Sequence, residues 1–115
     1  MTPRIYHNAR CSKSRATLAL LEERGLTCEV IHYLDTPPSA AELADLLGKL
    51  GMTPRELIRK GEAEYTELGL DDPSLDDTSL LQAMASHPRL IERPIVVANG
   101  KAAIGRPPEA VLAIL

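Results

Sequence analysis

The chain has no phenylalanine and no tryptophan, and three tyrosines are its only aromatic residues. With so few flat rings on which bases could stack, and with a formal net charge of −3, it is short of stacking platforms and lacks the basic footprint of a nucleic-acid binder. No apolar run approaches the roughly 18 residues of a membrane span, and no basic segment leading into an apolar stretch opens the chain. Neither a nucleic-acid nor a membrane role is expected, and the expected location is cytoplasmic. Cysteine is scarce as well. Cys11 and Cys28 cannot build a disulfide framework, and with three scattered histidines they offer no spaced set of metal ligands. No metal and no bound cofactor is expected, so any cysteine chemistry is redox or nucleophilic.

What is present suits one compact domain. At 115 residues the chain can bury about 65% of its unfolded surface without staples, and its interior must be filled by aliphatic side chains. "RIYH", residues 4–7, reads as a short strand. A polar loop and the helical pattern of "SRATLALLEERG" follow, stopped by Gly25. "CEVIHYL", residues 28–34, is a second strand, ending at Asp35 ahead of Pro37 and Pro38. A βαβ unit of this kind favours parallel pairing through a right-handed crossover.

The middle of the chain is helical. Ser39 with Glu42 and Thr53 with Glu56 make capping-box patterns, the second with Pro54 at the first helical position; a short helix is expected through "EAEYTELG", and another from Ser74 and Asp77 to about His87. "RPIVVANGKAAIG" then predicts an antiparallel hairpin turning at Asn99-Gly100, where both positions need positive φ, and Pro107-Pro108 lead into a terminal helix. The expected architecture is α/β, a thioredoxin-like mixed sheet in the order β-α-β, helical insertion, β-β-α. It is read as a single domain over residues 1–115 with the insertion at about 39–87.

Cys11 stands directly after the first strand at the mouth of the first helix, with Arg10, Lys13 and Arg15 close by in sequence. A free thiol has a pKa of about 8.5, and lowering it to about 6.5 requires roughly 2.7 kcal/mol of preferential stabilisation of the anion. Helix N-terminal amides can supply about 0.3–2 kcal/mol of that. Hydrogen bonds from His7, Ser14 or nearby amides are candidates for the rest. The same features suit an incoming oxyanion. Locally the plain alternative stays open: Cys11 as a small loop residue among solvated cations. Cys28, in a predicted strand among apolar residues, reads as a buried structural thiol. Two familiar chemistries fail on single residues. Ser14 stands where a Cys-x-x-Cys dithiol would need its second cysteine, and Thr17 stands where a phosphatase loop would need arginine.

The segments "IYHNARCSKSR", "LIRKGEAEYTELGL" and "HPRLIERPIVVANGKAAIGRPPEAVLAIL" together resemble the glutaredoxin/glutathione-coupled arsenate reductase family over essentially the whole chain. The resemblance implies a thioredoxin-like fold with a helical insertion and a nucleophilic cysteine. It also implies reduction of arsenate or a similar oxyanion, with glutathione as co-substrate and glutaredoxin as partner. Carried over by position, it makes Cys11 the nucleophile, His7 a stabiliser of the thiolate, Arg59, Arg93 and Arg106 the substrate-binding arginines, and Pro94 a cis-proline facing the cysteine. Guanidinium groups are permanently charged forks suited to tetrahedral oxyanions.

Ala9 departs from the family's usual proline, which is expected to loosen the turn ahead of Cys11, and the chain ends at Leu115 where established reductases of this type carry a longer tail, which bears on substrate choice and partner docking. Two other classes are set beside the enzyme. One is a redox regulator resembling the Spx-type proteins that bind RNA polymerase, although their usual Cys-x-x-Cys switch is missing here. The other is a glutathione-linked thiol reductase acting on a different anion or mixed disulfide.

Overall fold

The computed structural model describes residues 2–115 and divides the chain into two compact units, one formed by the segment ending at Thr36 together with Arg93–Leu115, the other by Pro37–Glu92. In the first unit β1 (Arg4–His7) is followed by α1 (Ser12–Glu23) and β2 (Glu29–His32), and after the second unit come β3 (Ile95–Ala98), β4 (Lys101–Ile104) and a C-terminal 3-10 helix (Pro108–Ile114). The four strands form one sheet in the order β2-β1-β3-β4. β1 and β2 are parallel, as a helical crossover requires, whereas β3 runs antiparallel to both β1 and β4. This is the expected mixed, thioredoxin-like sheet.

Its core is aliphatic because the sequence offers little else. Ile5, Leu21, Val96 and Val111 are fully buried, with Leu18, Leu20, Leu26, Ala103 and Ile114 packed against them. β1 is one of the two inner strands and leads to Cys11, and its Ile5, Tyr6 and His7 are all buried, so neither face of it is left to water. The hairpin between β3 and β4 turns at Asn99 and Gly100, both with positive φ (54° and 75°), which matches the demand of a two-residue turn. β2 is shorter than the sequence reading. Cys28 lies just before it, half-buried against the core rather than within a buried strand. The terminal helix is of the tight 3-10 type and buries Val111.

The second unit holds α2 (Ala40–Leu50), α3 (Pro54–Leu57), α4 (Ala63–Glu67) and α5 (Asp77–Ser86). Thr53 and Glu56 close a full capping box, with Glu56 Oε1 accepting from the Thr53 amide at 2.9 Å and Thr53 Oγ1 from the Glu56 amide at 3.3 Å. Ser39 caps α2 by accepting from the Glu42 amide. The cap of α5 corrects the sequence reading. Asp76, not Ser74, accepts from the Ser79 amide at 2.9 Å, because Ser74 is held by Asp72 Oδ1 through both its amide and its hydroxyl. Leu43 and Leu47 of α2 and Leu80 and Met84 of α5 are buried where those two helices pack together.

Candidate active site

β1 ends at His7, and residues 8–10 turn the chain into α1. The Cys11 amide donates to the Asn8 carbonyl at 3.0 Å, Asn8 Oδ1 accepts the Arg10 amide at 3.0 Å, and Arg15 Nη1 donates to the Ala9 carbonyl at 2.9 Å. Cys11 becomes the N-cap of α1, with an extended backbone (φ −93°, ψ 122°) and a carbonyl that accepts the first helical bond from Arg15. Its side chain is 8% exposed and forms no closed capping bond, so the sulfur stands over the open amides of the first turn.

The other wall of the site comes from the ends of the β3-β4 hairpin. Ile95 pairs with Ile104, and one step beyond this rung the Gly105 amide donates to the Pro94 carbonyl at 2.9 Å. The pairing thereby sets Arg93 and Arg106 side by side. Arg106 Nε donates to the Arg93 carbonyl at 2.8 Å while Nη2 of the same guanidinium lies 3.6 Å from Cys11 Sγ. The Arg93–Pro94 peptide is cis, as is Arg106–Pro107, and Pro94 is buried.

Burial of Cys11 opposes ionisation, but the Ser14 amide, a hydrogen bond and the charge from Arg93, and the Lys13 amide outweigh it and hold the thiol below its ordinary value. Cys28 shows the opposite balance, raised by burial and by the nearby Glu22 carboxylate. The guanidinium groups that reach the Cys11 sulfur therefore come from distant positions in the chain, whereas Arg10, Lys13 and Arg15 are exposed on the loop and helix.

The two residues expected to support the thiolate are joined to each other. Ser14 Oγ lies 2.7 Å from His7 Nδ1 and accepts the Asn8 amide at 3.0 Å, so Ser14 faces the sulfur through its backbone N–H and faces His7 through its hydroxyl. The proton affinity of His7 is lowered from the ordinary imidazole value, first by burial and then by the charges of His32 and Arg15. Arg59 belongs to the second unit, where its guanidinium lies 3.8 Å from Glu62 and 3.6 Å from Glu92, with Nη1 buried and finding no hydrogen-bond acceptor. Among the described residues no group of three His, Cys, Asp or Glu side chains could hold a metal ion.

Two contributors escaped the sequence reading. Gly105 packs so tightly that a Cβ there would lie 2.3 Å from Thr17 Oγ1 and 2.8 Å from Pro94 Cγ, and Thr17 is fully buried with its hydroxyl donating to the Lys13 carbonyl at 2.7 Å. The one signal available was a glycine immediately before Arg106.

The sequence profile of the ArsC family matches residues 6–114. The chain belongs to the ArsC family. An arsenate reductase of Neisseria meningitidis serogroup B is 58% identical over 113 residues, covering 97% of each chain. The uncharacterized protein YfgD of Escherichia coli K12, also similar to this ArsC chain, is 61% identical over 113 residues, 97% of this chain and 95% of that one. The solved structure of an arsenate reductase from Vibrio cholerae superposes with a TM-score of 0.97 at 56% identity, covering all of this ArsC chain and 98% of the other. No helix among the described residues is long and apolar enough to cross a membrane.

Proposed function

We propose that this ArsC-family chain is an arsenate reductase in which Cys11 is the nucleophile and glutathione and glutaredoxin supply the reducing thiols. The observation that carries the reading is the seat of Cys11. It caps α1 over the amides of Ser14 and Lys13, with Arg106 Nη2 3.6 Å from the sulfur and the charge of Arg93 acting on it. That surrounding favours the thiolate over the thiol relative to a free cysteine, and the same donors can hold the oxygens of a tetrahedral anion. The names carried by relatives at 58% and 56% identity support arsenate as that anion.

In the reaction the Cys11 thiolate attacks arsenic(V) and an oxygen leaves as water, giving a thiolate ester. Glutathione then attacks arsenic and displaces a second oxygen. A glutaredoxin thiolate attacks the glutathione sulfur. The electron pair of the broken arsenic–sulfur bond stays on arsenic, which becomes arsenic(III), while glutathione and glutaredoxin leave as a mixed disulfide. Hydrolysis releases arsenite and returns Cys11. Arg93 and Arg106 bind the anion and offset charge on its oxygens. Arg59 enters as the third binding arginine on the resemblance alone. The requirement for reduced external thiols makes the cytoplasm the fitting compartment.

The test supplies the purified protein with arsenate, glutathione, glutaredoxin and an NADPH-recycling system. Arsenate-dependent NADPH oxidation that disappears in Cys11→Ser is expected. Turnover that survives Cys11→Ser would remove the nucleophile, and no turnover at any arsenate concentration would remove the activity.

A further inference from the structure

β1 and β2 run parallel in a register that sets His7 beside His32, and their rings meet edge to face with centroids 5.9 Å apart. His7 is buried at 6% exposure and His32 is exposed, so one ring belongs to the site and the other to solvent. From His7 the contacts continue inward: Nδ1 to Ser14 Oγ at 2.7 Å, and from Ser14 the backbone N–H that faces the Cys11 sulfur. We infer that His32 is a positioning residue for Cys11, acting through His7 and Ser14.

Ser14 Oγ has a single proton and already accepts the Asn8 amide at 3.0 Å. While His7 is neutral with a lone pair on Nδ1, Ser14 must donate to it, and the hydroxyl has one orientation. A proton on Nδ1 reverses that bond and releases the Ser14 hydroxyl proton from it. The charged groups that decide between the two states are His32 on β2 and Arg15 on α1, and both disfavour a proton on His7. Of these, His32 is the one whose ring meets that of His7. A cation at position 32 therefore disfavours the imidazolium form of His7, in which the bond to Ser14 is reversed.

This inference rests on Cys11 being the nucleophile, but its test needs no arsenate. His7 is followed by NMR titration of its ring in the full chain, in a Cys28→Ser background. His32→Ala is expected to tighten proton binding at His7 about threefold, the effect of removing one of two unit charges about 6 Å apart near water. His32→Lys, which keeps a positive charge, is expected to restore the original midpoint, and His32→Phe, which keeps a ring, is not. In parallel, Cys11 alkylation on the acid side should quicken by up to the same factor in His32→Ala, because a proton on His7 adds positive charge beside the Ser14 donor. That change should vanish in a His7→Gln background. An unmoved His7 midpoint, rescue by phenylalanine but not lysine, or an alkylation change that persists without His7 would each overturn the role. Failure of arsenate turnover alone would leave these readouts intact.

Discussion

Replacing Gly105 by alanine tests how the second wall of the site is held. The new Cβ would lie 2.3 Å from Thr17 Oγ1, 2.8 Å from Pro94 Cγ and 3.1 Å from Thr17 Cγ2. Ordinary carbon contacts begin near 3.4 Å, so the loop must back away by roughly 1 Å. Neither neighbour yields easily. Pro94 is a ring buried at the start of the hairpin, and Thr17 is fully buried with its hydroxyl bonded to Lys13. Overpacking of this kind costs about 1–3 kcal/mol, which lowers Tm by roughly 4–12 °C in a domain of this size. The larger effect falls on the chemistry, because Arg106 is the next residue and its guanidinium lies 3.6 Å from the sulfur. A displacement near 1 Å is expected to reduce arsenate turnover about 100-fold and to move Cys11 toward the ordinary thiol pKa. Thermal melts and the coupled NADPH assay read the two effects. Thr17→Ala removes two of the three contacts, so the double variant should recover part of the loss. Unchanged Tm and unchanged turnover in Gly105→Ala would refute the claim that this close approach positions Arg106.

Arg106→Gln removes the donor to Cys11 and the fork to the Arg93 carbonyl, and is expected to lower kcat/KM for arsenate by at least about tenfold, the worth of one charge-assisted bond; Arg106→Lys should not restore it, since a point charge cannot reach both partners. Asp76→Ala is expected to lower Tm more than Ser74→Ala, because Asp76 is the cap of α5. The Asp76 carboxyl is held below its ordinary value by the amide and then the hydroxyl of Ser79. Its contribution is therefore present above the unfolded carboxylate pKa and is lost as pH falls through the lower folded value. Asp76→Asn should flatten that acid limb in pH-dependent melts.

The parts of the fold written in local pattern were legible. β1 spans the residues of "RIYH", and the Asn99-Gly100 pair turns the hairpin, since β-rich runs and a dipeptide able to take positive φ carry their own structure. The α5 cap was misread because Ser74 and Asp76 offer the same chemistry to sequence. Only the competing turn at Asp72 decides which one is free to cap. Within the site, the position of Cys11 at a helix mouth was legible from local pattern, whereas Arg93 and Arg106 were named only through the family resemblance. Neighbours in sequence suggested Arg10, Lys13 and Arg15. The hairpin pairing instead delivers Arg93 and Arg106, some ninety positions away, and a contact of that separation has no local signature. The Thr17–Gly105 approach and the His7–His32 contact are tertiary in the same sense.

The central claim is that Cys11 is kept as a thiolate where an oxyanion binds. The most direct measurement is the rate of Cys11 alkylation against pH in a Cys28→Ser background, with and without arsenate. The rate should reach half its maximum below the ordinary thiol pKa, and arsenate should slow it. A midpoint at the ordinary value, with no protection by arsenate, would contradict the account.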